Sequence, residues 1–237
     1  MTEEPYRWLE AIGNRREYIA EQMKGATPVF AVSRPEGILM LGVGIGHSKI
    51  FEVYDRHGFA ALGHPVDIEK LRQAAIEAAH VEGFNRSSKD VTLRRLISFA
   101  LSTTLKSSFE QIFSPPFIVE AIFTELGETP AQDSLVRLHY DGHHHYETSG
   151  VLIAAADRKV EAEASVWLRD KLKPEDSPSR VAGLCLALWQ AMVDGRNLAE
   201  FRVPDELPTA VSGKTVETAL IDRRLPGPVQ YRPFEIK

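Results

Sequence analysis

Val29-Phe30-Ala31-Val32-Ser33-Arg34-Pro35-Glu36-Gly37-Ile38-Leu39-Met40-Leu41 sets two short apolar runs on either side of a Ser-Arg-Pro-Glu-Gly turn. The pattern predicts a hairpin, because Pro and Gly punctuate the chain and neither run is long enough for a helix. Lys49-Ile50-Phe51-Glu52-Val53-Tyr54 and Phe59-Ala60-Ala61-Leu62 repeat it, with residues 55–58 as the turn. Four strands in direct succession imply antiparallel pairing, since parallel neighbours need a long crossover.

Upstream of these strands, Trp8, Ile12, Ile19 and Met23 fall four, seven and four residues apart. They make one narrow apolar stripe on a helix, with Arg15, Arg16, Glu17 and Glu21 largely on the other side. Such a helix must find something to lie against. Downstream come two helical patterns. The first carries Ile68, Leu71, Ala75 and Ala78. The second opens at Ser87-Ser88-Lys89-Asp90 in a capping-box arrangement and carries Leu93, Leu96, Ile97, Ala100, Leu101, Leu105, Phe109 and Phe113, ending at Pro115 and Pro116. Strand patterns return over 117–126, 135–140, 143–147 and 151–156. Helices are expected over 157–172 and from Ser177, with Pro178 in its first turn. Two more strands, 216–222 and 229–234, close the chain.

Like elements therefore come in blocks, which disfavours a doubly wound βαβ arrangement. The expected class is α+β: a four-layer αββα sandwich of two antiparallel sheets flanked by helices, with an extra N-terminal helix. With no low-complexity linker, residues 25–237 are expected to form a single domain, preceded by an N-terminal segment and helix over 1–24.

Against 33 Asp and Glu stand 28 Lys and Arg, and a net charge of −5 argues against a nucleic-acid partner. A single cysteine, Cys185, excludes an intramolecular disulfide framework and fits a reducing compartment. No apolar run reaches the ~18 residues of a membrane span. The acidic start Met1-Thr2-Glu3-Glu4-Pro5 lacks the plan of a signal peptide, so the cytoplasm is the expected location, with no membrane partner.

Few residues suggest chemistry. Gly42-Val43-Gly44-Ile45-Gly46-His47-Ser48-Lys49 runs into a strand pattern, whereas a phosphate loop must open a helix; it reads as a glycine-rich turn. His143, His144 and His145 are consecutive, and successive residues of a strand face opposite ways, so a polar hairpin end is expected, not a metal site. Cys185 sits among Leu184 and Leu188 on an apolar helix face, where a thiol behaves as a small hydrophobe. His57, His64 and His80 have no partner at diagnostic spacing. No catalytic constellation, cofactor or metal is indicated.

Lys49-Ile50-Phe51-Glu52-Val53-Tyr54-Asp55-Arg56-His57-Gly58-Phe59-Ala60-Ala61-Leu62-Gly63 resembles the corresponding stretch of bacterial proteasome α subunits. Ser88-Lys89-Asp90-Val91-Thr92, Leu220-Ile221-Asp222-Arg223 and the helix ahead of Ala26-Thr27-Pro28-Val29 are also similar to that family. The resemblance implies the sandwich of the N-terminal-nucleophile hydrolases and assembly into heptameric α rings that cap rings of β subunits. In the related β subunits a threonine freed at the first strand is the nucleophile, helped by an acidic residue and a lysine. Here the nucleophile position falls near Ala26 and the acidic one near Val43; only the lysine remains, as Lys49. Thr27 is next to Ala26, but strand alternation is expected to turn it to the other face.

The resemblance thus implies a non-catalytic subunit. It implies that Lys49 receives the C-terminal carboxylate of an activator, usually a ring-shaped AAA+ ATPase, and that Gly63 lies in the turn shaping the same pocket. Trp8, Ile12, Ile19 and Met23 are expected on a helix between subunits, and residues 1–5 at the gate. The tyrosine-aspartate gating motif of archaeal and eukaryotic members is missing. Two alternatives stand beside this: a self-processing threonine-type hydrolase of the β-subunit kind, and a ring-forming scaffold outside proteolysis.

Overall fold

The computed structural model describes residues 4–236, with side chains from residue 7 onward. Residues 1–3 of the expected gate segment, and the side chains of Glu4 and Pro5, lie outside the described part. The chain begins with α1 (Glu4–Met23) and continues through β1 (Val29–Arg34), β2 (Gly37–Gly44), β3 (Ile50–Tyr54) and β4 (His57–Gly63). Then come α2 (Pro65–Asn85) and α3 (Leu93–Arg95), which passes through a π-helical stretch (Leu96–Leu101) into α4 (Ser102–Glu110). β5 (Val119–Glu125), β6 (Ser134–Leu138), β7 (His144–Glu147) and β8 (Val151–Ala154) follow, then α5 (Arg158–Lys171), α6 (Pro178–Val193), β9 (Thr215–Asp222) and β10 (Tyr231–Pro233).

The strands form two five-stranded sheets, ordered β10-β9-β2-β1-β8 and β3-β4-β5-β6-β7, and every pairing is antiparallel. Between the sheets lie Val29, Ala31, Ile38 and Met40 from one and Ala60, Leu62 and Ile122 from the other. The outer face of the first sheet presents Phe30, Val32, Leu39 and Leu41 to Trp167 and Leu168 of α5 and Leu184 and Leu188 of α6. The outer face of the second presents Phe59, Ala61, Phe123 and Val136 to Leu71, Leu96 and Leu105. Central strands are thus apolar on both faces, which is why their sequences read as unbroken runs and not as alternation. This is the four-layer sandwich that the order of elements predicts.

Three boundaries differ from expectation by more than two residues. The helix expected from Ser87 begins at Leu93, because Ser87 Oγ is taken by the Asp90 carboxylate at 2.9 Å and residues 88–90 form a separate 3-10 turn. The true helix start is held by a distant group: Glu125 on β5 accepts from the Leu93 N–H at 2.8 Å. That helix ends at Glu110, leaving Phe113, expected on its apolar face, fully exposed. β2 runs on through Gly42 and Val43 to Gly44, so the glycine-rich turn is shorter than expected.

The α1 stripe divides along its length. Ile19 and Met23 are buried with the inter-sheet core and Ile12 packs at its margin, while Trp8 is 46% exposed. Buried Arg15 ties the helix down, donating to the carbonyl oxygens of Ser108 at 2.9 Å, Ile112 at 3.3 Å and Ser114 at 2.6 Å. No helix among the described residues is long and apolar enough to cross a membrane.

Candidate docking site at Lys49

After Gly44 the chain turns through Gly46, at φ +73°, and enters β3 at Ile50, which leaves Lys49 at the mouth of the strand. β2 makes room for its stem. A Cβ on Gly42 would stand 3.1 Å from the Lys49 Cβ, and one on Gly44 would stand 3.7 Å from the Lys49 Cε. Gly42 therefore leaves room for the lysine stem, whereas Gly44 leaves room for the His47 carbonyl oxygen, 3.0 Å from where its Cβ would stand, and no helix follows them to hold a phosphate.

The Lys49 ammonium donates to the Thr27 carbonyl oxygen at 2.9 Å and to the Thr27 hydroxyl at 2.5 Å. The Thr27 hydroxyl in turn donates to the Val43 carbonyl oxygen at 2.6 Å. On the far side, Glu217 of β9 accepts from the Lys49 N–H at 2.8 Å and the Ile50 N–H at 3.2 Å. Burial lowers the Lys49 pKa to about 8; the Glu217 charge acts against the shift and the Lys214 charge adds to it.

The position of Thr27 corrects the sequence reading. Thr27 precedes β1, which starts at Val29, so strand alternation does not govern it, and its hydroxyl meets Lys49. Its nitrogen is a peptide nitrogen following Ala26, whose own N–H bonds back to the Met23 carbonyl at 3.0 Å. The hydroxyl proton is given to a backbone carbonyl, and no carboxylate stands at Val43. As arranged, the two Thr27 oxygens orient the Lys49 ammonium.

Gly63 ends β4 at φ +131°, and a Cβ there would fall 2.1 Å from the Ile118 carbonyl oxygen, so only glycine fits. Two residues earlier on that strand, the Ala61 N–H donates to the Lys49 carbonyl at 3.0 Å. Lys49 and Gly63 are thus brought to the same end of one sheet on neighbouring strands. His64 follows as the cap of α2, its Nδ1 accepting from the Val66 N–H at 3.3 Å.

The remaining candidates disperse. His144 meets the Ser102 hydroxyl at 2.8 Å, and His143 lies 3.4 Å from Asp141. His145 faces the ring of His139, which is itself held by Glu120 at 2.8 Å. Among the described residues no three His, Cys, Asp or Glu side chains are placed to hold a metal ion. Cys185 is buried in α6, which pushes its thiol up to about 12. His57 is buried in the hairpin of β3 and β4, 3.8 Å from a Glu125 carboxylate that also binds Arg56 at 2.8 Å. Two members of the Lys49 site escaped sequence reasoning. Glu217 carries no local signal, since its partners lie at the mouth of β3 on the other sheet, and the strand expected to hold Thr27 begins only at Val29.

No protein-family model matches the chain. It is 31% identical over 214 residues to the proteasome subunit alpha of Pseudarthrobacter chlorophenolicus, covering 89% of this chain and 84% of that protein. The chain belongs to the proteasome α-subunit family. The proteasome subunit alpha of Kineococcus radiotolerans is 30% identical over 224 residues, 91% of this chain and 90% of its own. That of Geodermatophilus obscurus is 29% identical over 215 residues, 90% of this chain and 71% of its own. The two five-stranded sheets and the N-terminal helix are accordingly those of a proteasome α-type chain.

Proposed function

We propose that this chain is the non-catalytic α-type subunit of a bacterial proteasome core particle acting in protein degradation in the cytoplasm. Seven copies would form each outer ring on rings of β subunits. Residues 1–5 of each copy would narrow the entry pore, and the pocket of Lys49 and Gly63 would receive the C-terminal tail of a ring-shaped AAA+ ATPase. The observation that carries this reading is the Lys49 ammonium at the mouth of β3, with two of its three protons already bonded to Thr27. A lysine so held suits a terminal carboxylate, which needs a cation and one donor. The half-exposed Trp8 leaves the leading end of the α1 stripe for a neighbouring subunit. Lys49→Ala should abolish ATPase-stimulated degradation by the core assembled with its β subunits while sparing ring assembly and unstimulated peptide cleavage. Stimulation at the wild-type level would remove Lys49 from the docking role.

The contact between Thr27 and Lys49 also favours a second reading, the self-processing threonine hydrolase, because a hydroxyl beside an amine of lowered pKa is what such chemistry uses. Cleavage between Ala26 and Thr27 would be required to free an amine. Intact mass of the purified protein decides: a full-length chain that an epoxyketone inhibitor does not label rules this reading out.

A further inference from the structure

We propose that Thr27 is the positioning residue of the docking lysine, its two oxygens fixing the Lys49 ammonium so that one N–H is left for an incoming carboxylate. The inference rests on the docking reading above and names the group that makes it work.

The donor count carries the argument. A lysine ammonium has three protons and no acceptor. Here two go to one residue, the carbonyl oxygen and hydroxyl of Thr27, at 2.9 and 2.5 Å. The hydroxyl accepts with a fixed orientation, because its own proton is committed to the Val43 carbonyl at 2.6 Å. The stem is fixed as well, running past Gly42 and Gly44, and Glu217 holds the backbone on either side of the Lys49–Ile50 peptide. A free surface lysine gives up much rotamer entropy on forming an ion pair, which is why such pairs contribute little. Lys49 has lost that freedom already, so a carboxylate binds it without ordering it.

Thr27 also keeps the ammonium charged. Burial favours the neutral amine, Lys214 does the same, and Glu217 opposes both. Hydrogen bonds from the ammonium to neutral oxygens favour the charged form. Losing the hydroxyl therefore lowers the charged fraction near neutral pH and loosens the aim of the third proton.

The test uses the assembled core with its β subunits. The probe is a synthetic C-terminal decapeptide of a ring-shaped ATPase that stimulates this core, as free acid and as C-terminal amide. Wild type should bind the acid and not the amide. Thr27→Val, which keeps the shape and removes the oxygen, should weaken the acid about three- to tenfold. It should also move the alkaline fall of the binding profile to lower pH, whereas Thr27→Ser should restore both. Thr27→Ala carries the same expectation should the extra methyl disturb the Val43 contact. Native mass spectrometry checks that rings persist. If Lys49→Ala binds the acid like wild type, the docking reading falls. If Lys49→Ala loses binding while Thr27→Val matches or exceeds wild type with an unmoved pH profile, the positioning role alone is overturned.

Discussion

Glu217 bonds through one carboxylate oxygen to the consecutive N–H groups of Lys49 and Ile50, at 2.8 and 3.2 Å, and so joins the last but one strand of the chain to the turn between the two sheets. Losing this acceptor removes the side-chain partner of both donors at the mouth of β3. Glu217→Ala should cost about 1–3 kcal/mol of stability. Chemical denaturation of the isolated subunit measures it, and a loss below about 0.5 kcal/mol would mean that water replaces the carboxylate.

Lys49 makes a pH prediction with a definite sign. Its pKa falls from 10.5 to about 8 on folding, so between those values the unfolded chain binds more protons than the folded one. Stability contributed at this position therefore rises with pH across that window and is lowest below pH 8. Glu217 and Lys214 are the charges acting on it, and both are retained in Lys49→Met. The stability advantage of Lys49→Met over wild type should shrink from pH 7.5 to pH 10, read from paired thermal melts. An advantage that stays constant would show that Lys49 titrates normally.

Under the proposed ring assembly, the divided stripe on α1 is expected to separate folding from assembly. Ile19 is fully buried in the inter-sheet core, so Ile19→Asp places a carboxylate there and should cost 3 kcal/mol or more, roughly, of subunit stability. Trp8 is half-exposed, and Trp8→Asp should leave the melting temperature of the isolated subunit within about 2 °C while weakening ring formation. Native mass spectrometry and calorimetry together test the pair. Rings that persist undiminished in Trp8→Asp would take that end of α1 out of the interface.

Residues 1–5 hold two carboxylates and a proline ahead of the α1 stripe. Removing them should raise hydrolysis of short fluorogenic peptides by the assembled core several-fold with assembly intact. An unchanged rate would place the gate elsewhere.

Strand order was readable because the central strands are buried on both faces: Phe30 and Ala31 both had to be apolar, one facing α6 and the other the opposite sheet. What the sequence hid was long-range. The start of α3 depends on Glu125, and no local pattern around Ser87 or Leu93 reports a carboxylate arriving from β5. The same holds for Glu217 at Lys49. Thr27 is hidden for a different reason, since residues 24–28 lie between α1 and β1 and alternation has meaning only inside a strand. Lys49 itself was visible only through family resemblance, because a lysine at the mouth of a strand is by itself an ordinary surface residue.

Cys185 is the single cysteine of the chain, and its burial in α6 raises the thiol to about 12. Thiolate is scarce there at neutral pH and reagents cannot reach it, so maleimides should leave the folded native protein unmodified. A cysteine introduced at any exposed position, such as Phe113 or Trp8, would then be the sole reactive thiol without first removing the natural one. Fluorophores placed this way would report distances between neighbouring copies in solution, and uptake of label by Cys185 would serve as a built-in alarm for unfolding.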